Sequence, residues 1–163
     1  MIKPDSDINP KINHATAHTY AIIDCGHFDH IFYRNLRREN IMQYKSLFSD
    51  TPDEKSIVAS PVLLQLDLQE NANFVRELKS LEMQYPAVIW LWSEKNFDQV
   101  FKILKPLQYG TLESGEQILC RYFDPRCLTG FLDMFRNDQE LSDRISSIIS
   151  WAYRKKNGSY QYL

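Results

Sequence analysis

Glycine is scarce in this chain, with five residues in 163. Phosphate cradles and dinucleotide-binding turns are built from closely spaced glycines, and neither a P-loop nor a dinucleotide fingerprint occurs; a serine elbow and paired zinc histidines are missing too. Cysteine is rarer still: Cys25, Cys120 and Cys127 are an odd number, and no two have the two-residue gap of a zinc knuckle or redox motif. Free, buried thiols are the expectation. The longest purely apolar run, Ala87 to Trp92, falls far short of the roughly 20 residues that span a bilayer. Met1-Ile2-Lys3-Pro4-Asp5 carries one cation and no apolar stretch, so a secretory signal is not expected. Charge of one sign is lacking as well: 19 basic residues against 21 acidic leave −2, which supplies no general drive toward nucleic acid or anionic lipid. These absences predict a soluble cytoplasmic protein with no cofactor, no metal, no nucleic acid and no membrane among its partners.

What is present is core-forming material. Hydrophobic residues make up 44% of the chain and aromatics 13%, ample for one domain of ordinary size around one core. Residues 1–18, with Pro4, Asp5, Asn9 and Pro10 and no apolar stripe, read as a flexible arm. Residues 19–153 read as the domain, and 154–163 as a basic and aromatic tail. Tyr20-Ala21-Ile22-Ile23 is a buried strand ending at Asp24; Phe28, Ile31, Phe32 and Leu36 then place a helix whose polar side carries Arg34, Arg37 and Arg38. A strand over 42–47 leads into Thr51-Pro52-Asp53-Glu54, the pattern of a capping box with proline at the first helical position.

Val62 to Leu66 and Ala87 to Trp92 read as further strands, the second apolar on both faces and therefore central. Phe74, Val75, Leu78 and Leu81 predict a helix between them. Phe97, Val100, Phe101 and Leu104 predict another, which Ser93 can cap and Pro106 stops. Segments 108–112 and 117–123 form a hairpin at a sheet edge. Leu128, Phe131, Leu132 and Phe135, then Leu141, Ile145, Ile148, Ile149 and Ala152, give the two stripes of a closing helical pair. Strands alternating with helices predict a single α/β layered domain: a mixed, mostly parallel sheet flanked by helices, with an edge hairpin and a C-terminal helical pair.

Three constellations carry possible chemistry. Asp24-Cys25-Gly26-His27 stands at a strand end, where α/β sheets bind ligands, and its residue types suit a small hydrolase or transferase. The bland account is that Asp24 caps the following turn and Cys25 packs inside. In Tyr122-Phe123-Asp124-Pro125-Arg126, Asp124 can accept from the Cys127 N–H, which leaves Arg126 free to grip Asp24 or Asp124 with its planar fork. The tail combines Arg154, Lys155 and Lys156 with Trp151, Tyr153, Tyr160 and Tyr162, a mixture that can anchor a protein partner or stack on bases. The alternative is that Trp151 finishes the last helix and the end frays.

In order, Tyr20-Ala21-Ile22-Ile23-Asp24, Ser46-Leu47-Phe48 with Thr51-Pro52-Asp53-Glu54, Ser60-Pro61-Val62-Leu63-Leu64-Gln65-Leu66 and Arg121-Tyr122-Phe123-Asp124-Pro125-Arg126 with Leu128 form a recognisable series. From Tyr20 to Phe135 the chain resembles the type VI secretion effector adaptors, the Tap or Tec chaperones. Asp50 stands where that family often has glycine, and Ser60 where alanine commonly precedes the proline. The resemblance implies a non-enzymatic adaptor that holds a secreted toxin, the effector, and promotes its loading onto the VgrG spike without itself being exported. Many relatives carry a further C-terminal lobe where about 28 residues follow Phe135 here, so binding of one partner is implied more directly than bridging of two. Adaptors must release what they hold, which favours a few anchors over a large interface. The candidates are Arg34, Arg37 and Arg38 on the first helix, Asp24, His27 and Arg126 at the strand end, and Trp151, Tyr153 and Tyr160 in the tail.

Overall fold

The computed structural model describes residues 16–39 and 41–163, with Arg38 described by its backbone alone. The expected arm lies largely outside the described residues. Eight strands are present among them: β1 (His18–Asp24), β2 (Gln43–Ser46), β3 (Pro61–Leu66), β4 (Val88–Ser93), β5 (Tyr109–Thr111), β6 (Gln117–Leu119), β7 (Ile148–Arg154) and β8 (Tyr160–Tyr162). The helices are α1 (His30–Asn35), α2 (Ala72–Glu82), α3 (Phe97–Leu104), α4 (Leu128–Asn137) and α5 (Gln139–Ile145).

Six strands form one sheet in the order β2-β3-β1-β4-β7-β8, and every neighbouring pair is antiparallel. The expected mostly parallel sheet is therefore wrong. Because β1 runs against both β3 and β4, those two strands share a direction and α2 joins them as a crossover; β1, however, lies between them and takes the hydrogen bonds they would have made to each other. Burial on both faces, read as a mark of parallel pairing, comes instead from helices covering both sides. Alternate residues divide into two cores, as the two-residue strand period requires. Tyr20, Ile22, Leu63, Ile89, Leu91 and Trp151 pack under α3, α4 and α5, whereas Ala21, Ile23, Leu64, Val88 and Trp90 pack under α2 and the α1 region.

Three further expectations are corrected. The β5–β6 hairpin is a separate two-stranded sheet and not an edge of the main one. The second helix of the closing pair stops at Ile145, and Ile148 to Arg154 is a strand beside β4. Ser93 pairs with Ile148 and Trp92 with Ser150, so Ile149 is an extra, bulged residue. A bulge turns the alternation by one step, placing Ile148 and Trp151 in one core at a three-residue spacing that imitates a helix. The tail does not fray: it returns as β8 to form the sheet edge, with Trp151 and Leu163 exchanging backbone hydrogen bonds. The boundary drawn at residue 154 thus cuts β7 at its last residue.

Local capping differs in the same spirit. Thr51 and Glu54 form no box; Thr51 Oγ1 donates to Phe48 O and accepts from Asp53 N, and a 3₁₀ segment begins at Glu54. Asn96, not Ser93, caps α3 through a reciprocal box with Gln99, while Ser93 accepts from Lys95 N and donates to Ser147 O. Asp50 has φ 55°, the left-handed region in which glycine is unstrained and aspartate is among the tolerated residues. That explains glycine's fitness there.

Candidate functional site

β1 ends at Asp24, and its partners there are the first residue of β3 and the residues just before β3 and β4: Asp24 faces Pro61, Asp24 N donates to Ala87 O, and Cys25 N donates to Ser60 O. This end of the sheet is not the carboxyl end of a parallel array, so the strand-end argument for a ligand crevice loses its footing. Asp24 is buried, and its Oδ1 caps the 3₁₀ turn Cys25–His27 by accepting from Gly26 N at 3.1 Å. Its Oδ2 accepts from Arg121 at 2.8 Å. Arg121, whose guanidinium lies 5.7 Å from the Phe123 ring, is not among the residues the sequence singles out, although it opens the motif containing Arg126.

Asp124 is the second buried carboxylate. It does not end a strand, and the Cys127 N–H bonds its backbone carbonyl, not its side chain. The side chain takes Arg126 instead: the backbone N at 2.9 Å, Nε at 3.0 Å from Oδ1 and a terminal nitrogen at 2.6 Å from Oδ2. Burial alone would push this carboxyl up, but the hydrogen bonds from Arg126 and the charges of Arg126 and Arg121 outweigh it and hold it below the usual range. Arg126 also feels the charge of Asp24. Two carboxylates and two arginines thus form one compensated clasp, inner acids buried and outer guanidinium groups half in water.

The nucleophile imagined beside them is unsuited to that task. Cys25 is fully buried, and burial first, the Asp24 charge second, pushes its thiol far up, away from thiolate. His27 Nε2 is 3.8 Å from Asp24, beyond a hydrogen bond, and is buried without a partner. His30 is exposed and His14 lies outside the described residues. Among the described residues, no three His, Cys, Asp or Glu side chains converge so as to hold a metal ion.

A family model described as a domain of unknown function, DUF4123, matches residues 19–141. The chain belongs to this family. No curated protein and no solved structure matches it. The DUF4123 match stops before β7 and β8, so two of the six strands of the main sheet are built from residues beyond it.

The remaining candidates of this DUF4123 protein fall into separate places. Arg34 and Arg37 are exposed and, with Tyr33 and Val58, line one cleft of about 380 Å³. They come from α1 and the 3₁₀ turn after it, not from one continuous helix. The Arg38 side chain lies outside the described residues. Trp151, expected to anchor a partner, is buried in the core and offers no surface for one. Tyr153 packs partly against the same core, its hydroxyl 3.3 Å from that of Thr129. Tyr160 lies on the opposite face, where its hydroxyl donates to Glu82.

Glu82 is a residue that the sequence reading misses. It is buried at the end of α2, with Trp90 Nε1 donating to one oxygen and Tyr160 to the other, each at 2.5 Å. Burial pushes its carboxyl up to about 7, against the pull of those two donors and the charges of Arg154 and Lys79. One signal points to it: Val75, Leu78 and Glu82 fall at helical spacing, so the acid sits on the apolar stripe. No helix among the described residues is long and apolar enough to cross a membrane.

Proposed function

We propose that this DUF4123 protein is a non-enzymatic adaptor that binds a secreted type VI effector and promotes its loading onto the VgrG spike. The observation that carries the reading is the clasp: the side chains with the most catalytic potential are spent on one another. Asp24 and Asp124 each accept from an arginine, and the thiol between strand and helix is sealed from water. Such groups fix a surface; they do not turn over a substrate. Family membership supports the reading through the resemblance of the motif series to effector adaptors. What stays accessible, Arg34, Arg37, Tyr85 and the cations after β7, is the material of a modest, releasable protein interface.

The test is affinity purification of the tagged chain from native cells during active secretion, at moderate salt, with mass spectrometry and gel filtration of what co-elutes. A stoichiometric toxin-like protein, with or without the spike, is the expected result. A partner-free protein under those conditions would overturn the proposal.

One observation favours a second reading, a hydrolase or transferase using Asp24, Cys25 and His27: the unpartnered, buried Nε2 of His27 beside Asp24. Native alkylation separates the two. The adaptor reading expects Cys127, the exposed thiol, to react first and Cys25 only on unfolding; rapid modification of Cys25 would favour the enzyme.

A further inference from the structure

The turn between β7 and β8 faces the loop joining α2 to β4, and the two enclose a cleft of about 330 Å³, at the lower end of the roughly 300–1,000 Å³ common for ligand pockets. One wall presents Met83, 71% exposed, and Tyr85, 39% exposed. The other presents Arg154, Lys155 and Lys156. Glu82 is the one acid lining it, and both its oxygens are engaged by Trp90 and Tyr160.

The cationic wall is shaped in advance. Gly158 at φ 87° closes the turn, its N–H donating to Lys155 O at 2.9 Å while Lys155 N donates to Ser159 O at 2.8 Å. The Arg154 guanidinium lies where a side chain at position 158 would meet it, and 5.8 Å from the Tyr160 ring. Lys155 and Lys156 are exposed and form no ion pair among the described residues. Tyr85 also meets the rings of His27 and Phe28, so the cleft runs into the surface beside the clasp.

We infer that this cleft docks an acidic segment of a protein partner, carboxylates against Arg154, Lys155 and Lys156 and an apolar side chain against Met83 and Tyr85. Charge complementarity gives the sign. The apolar wall selects protein over nucleic acid, because three cations on a chain of net charge −2 make no extended basic stripe for a phosphate backbone, whereas apolar anchors beside charged rims are interface anatomy. The inference rests on the adaptor reading, since it assigns that adaptor's partner its chemistry.

The test is fluorescence anisotropy with the full chain and three labelled probes: a peptide of about 12 residues alternating glutamate and leucine, its lysine counterpart, and a single-stranded DNA of about 12 nucleotides, within the span that such strands occupy on binding proteins. The acidic peptide should bind, more weakly as salt rises, and the Lys155→Glu/Lys156→Glu double variant should lose at least tenfold in affinity with an unchanged melting midpoint. Met83→Ser should lose several-fold. Equal binding of both peptides, undiminished binding by the double variant, or preference for the DNA would overturn the inference. The two readings fail separately: a double variant that loses the peptide but keeps its co-purifying partner contradicts the cleft as dock and leaves the adaptor, whereas peptide binding without any native partner leaves the cleft and contradicts the adaptor.

Discussion

Two acidic clusters sit at the same end of the sheet and solve burial in opposite ways. Asp24 and Asp124 are each met by a half-exposed guanidinium group, so charge answers charge. Glu82 is met at hydrogen-bond distance by neutral donors, an indole N–H and a phenol O–H, and burial dominates its titration over the charges of Arg154 and Lys79. The first arrangement is closed: its cations are used. The second leaves Arg154, Lys155 and Lys156 facing outward beside it. The difference teaches where this protein's charges are spent on one another and where they are left open to solvent.

The sharpest way to break the comparison is pH. The carboxyl of Glu82 is raised from 4.5 to about 7, so the folded state holds its proton where the unfolded chain has released it. Its contribution to stability is fully present below pH 4.5 and is lost as pH rises through about 7. That loss amounts to roughly 3 kcal/mol, since each tenfold difference in proton affinity is worth about 1.4 kcal/mol. Melting curves between about pH 5 and 8 should show the midpoint falling by several degrees, and Glu82→Gln should flatten that slope; an unchanged slope would place Glu82 with the compensated acids. Asp124 has the opposite sign. Asp124 is lowered from 3.8, so its contribution is present above that value and lost as pH falls below it. Acid titration of Asp124→Asn should lack this loss.

Next in size is Asp124→Asn itself, which replaces a charged acceptor of hydrogen bonds from three Arg126 nitrogens and should cost about 1–3 kcal/mol near neutral pH, measured by urea denaturation. Smaller again is Arg126→Lys. A point charge cannot reproduce the fork, but the arginine is 60% exposed and water screens the pair. The melting midpoint should drop by about a degree. A drop as large as that of Asp124→Asn would show that the guanidinium, not the buried acid, is the source of stability.

The contrast also explains how far the sequence can be read. Strand positions at 20–24, 62–66 and 87–92 are legible because β1, β3 and β4 are apolar runs bounded by turn residues. α2 and α3 are legible from their stripes. Strand direction is not, because βαβ alternation describes which elements are joined, and here β1 separates the pair that α2 joins. The helix expected through Ile148 and Ala152 fails because a single bulged residue, Ile149, lends a strand the spacing of a helix. At the site, Arg126 is legible as a fork in search of an acid, and Asp124 takes it. Arg121 and Tyr160 are not legible as partners of Asp24 and Glu82, since each pair is brought together from 97 and 78 residues apart by the tertiary fold alone. Trp151 looks like a tail aromatic only while β7 is read as helix.

That this chain holds a partner and does no chemistry on it is tested most directly by effector export. The measurement uses native cells lacking the chain, complemented with the Cys25→Ala variant once its folding has been checked by circular dichroism. Deletion should stop export, and the variant should restore it fully while still co-purifying with the effector. Loss of export by a folded variant that still binds the effector would contradict the adaptor and point to catalysis at the strand end.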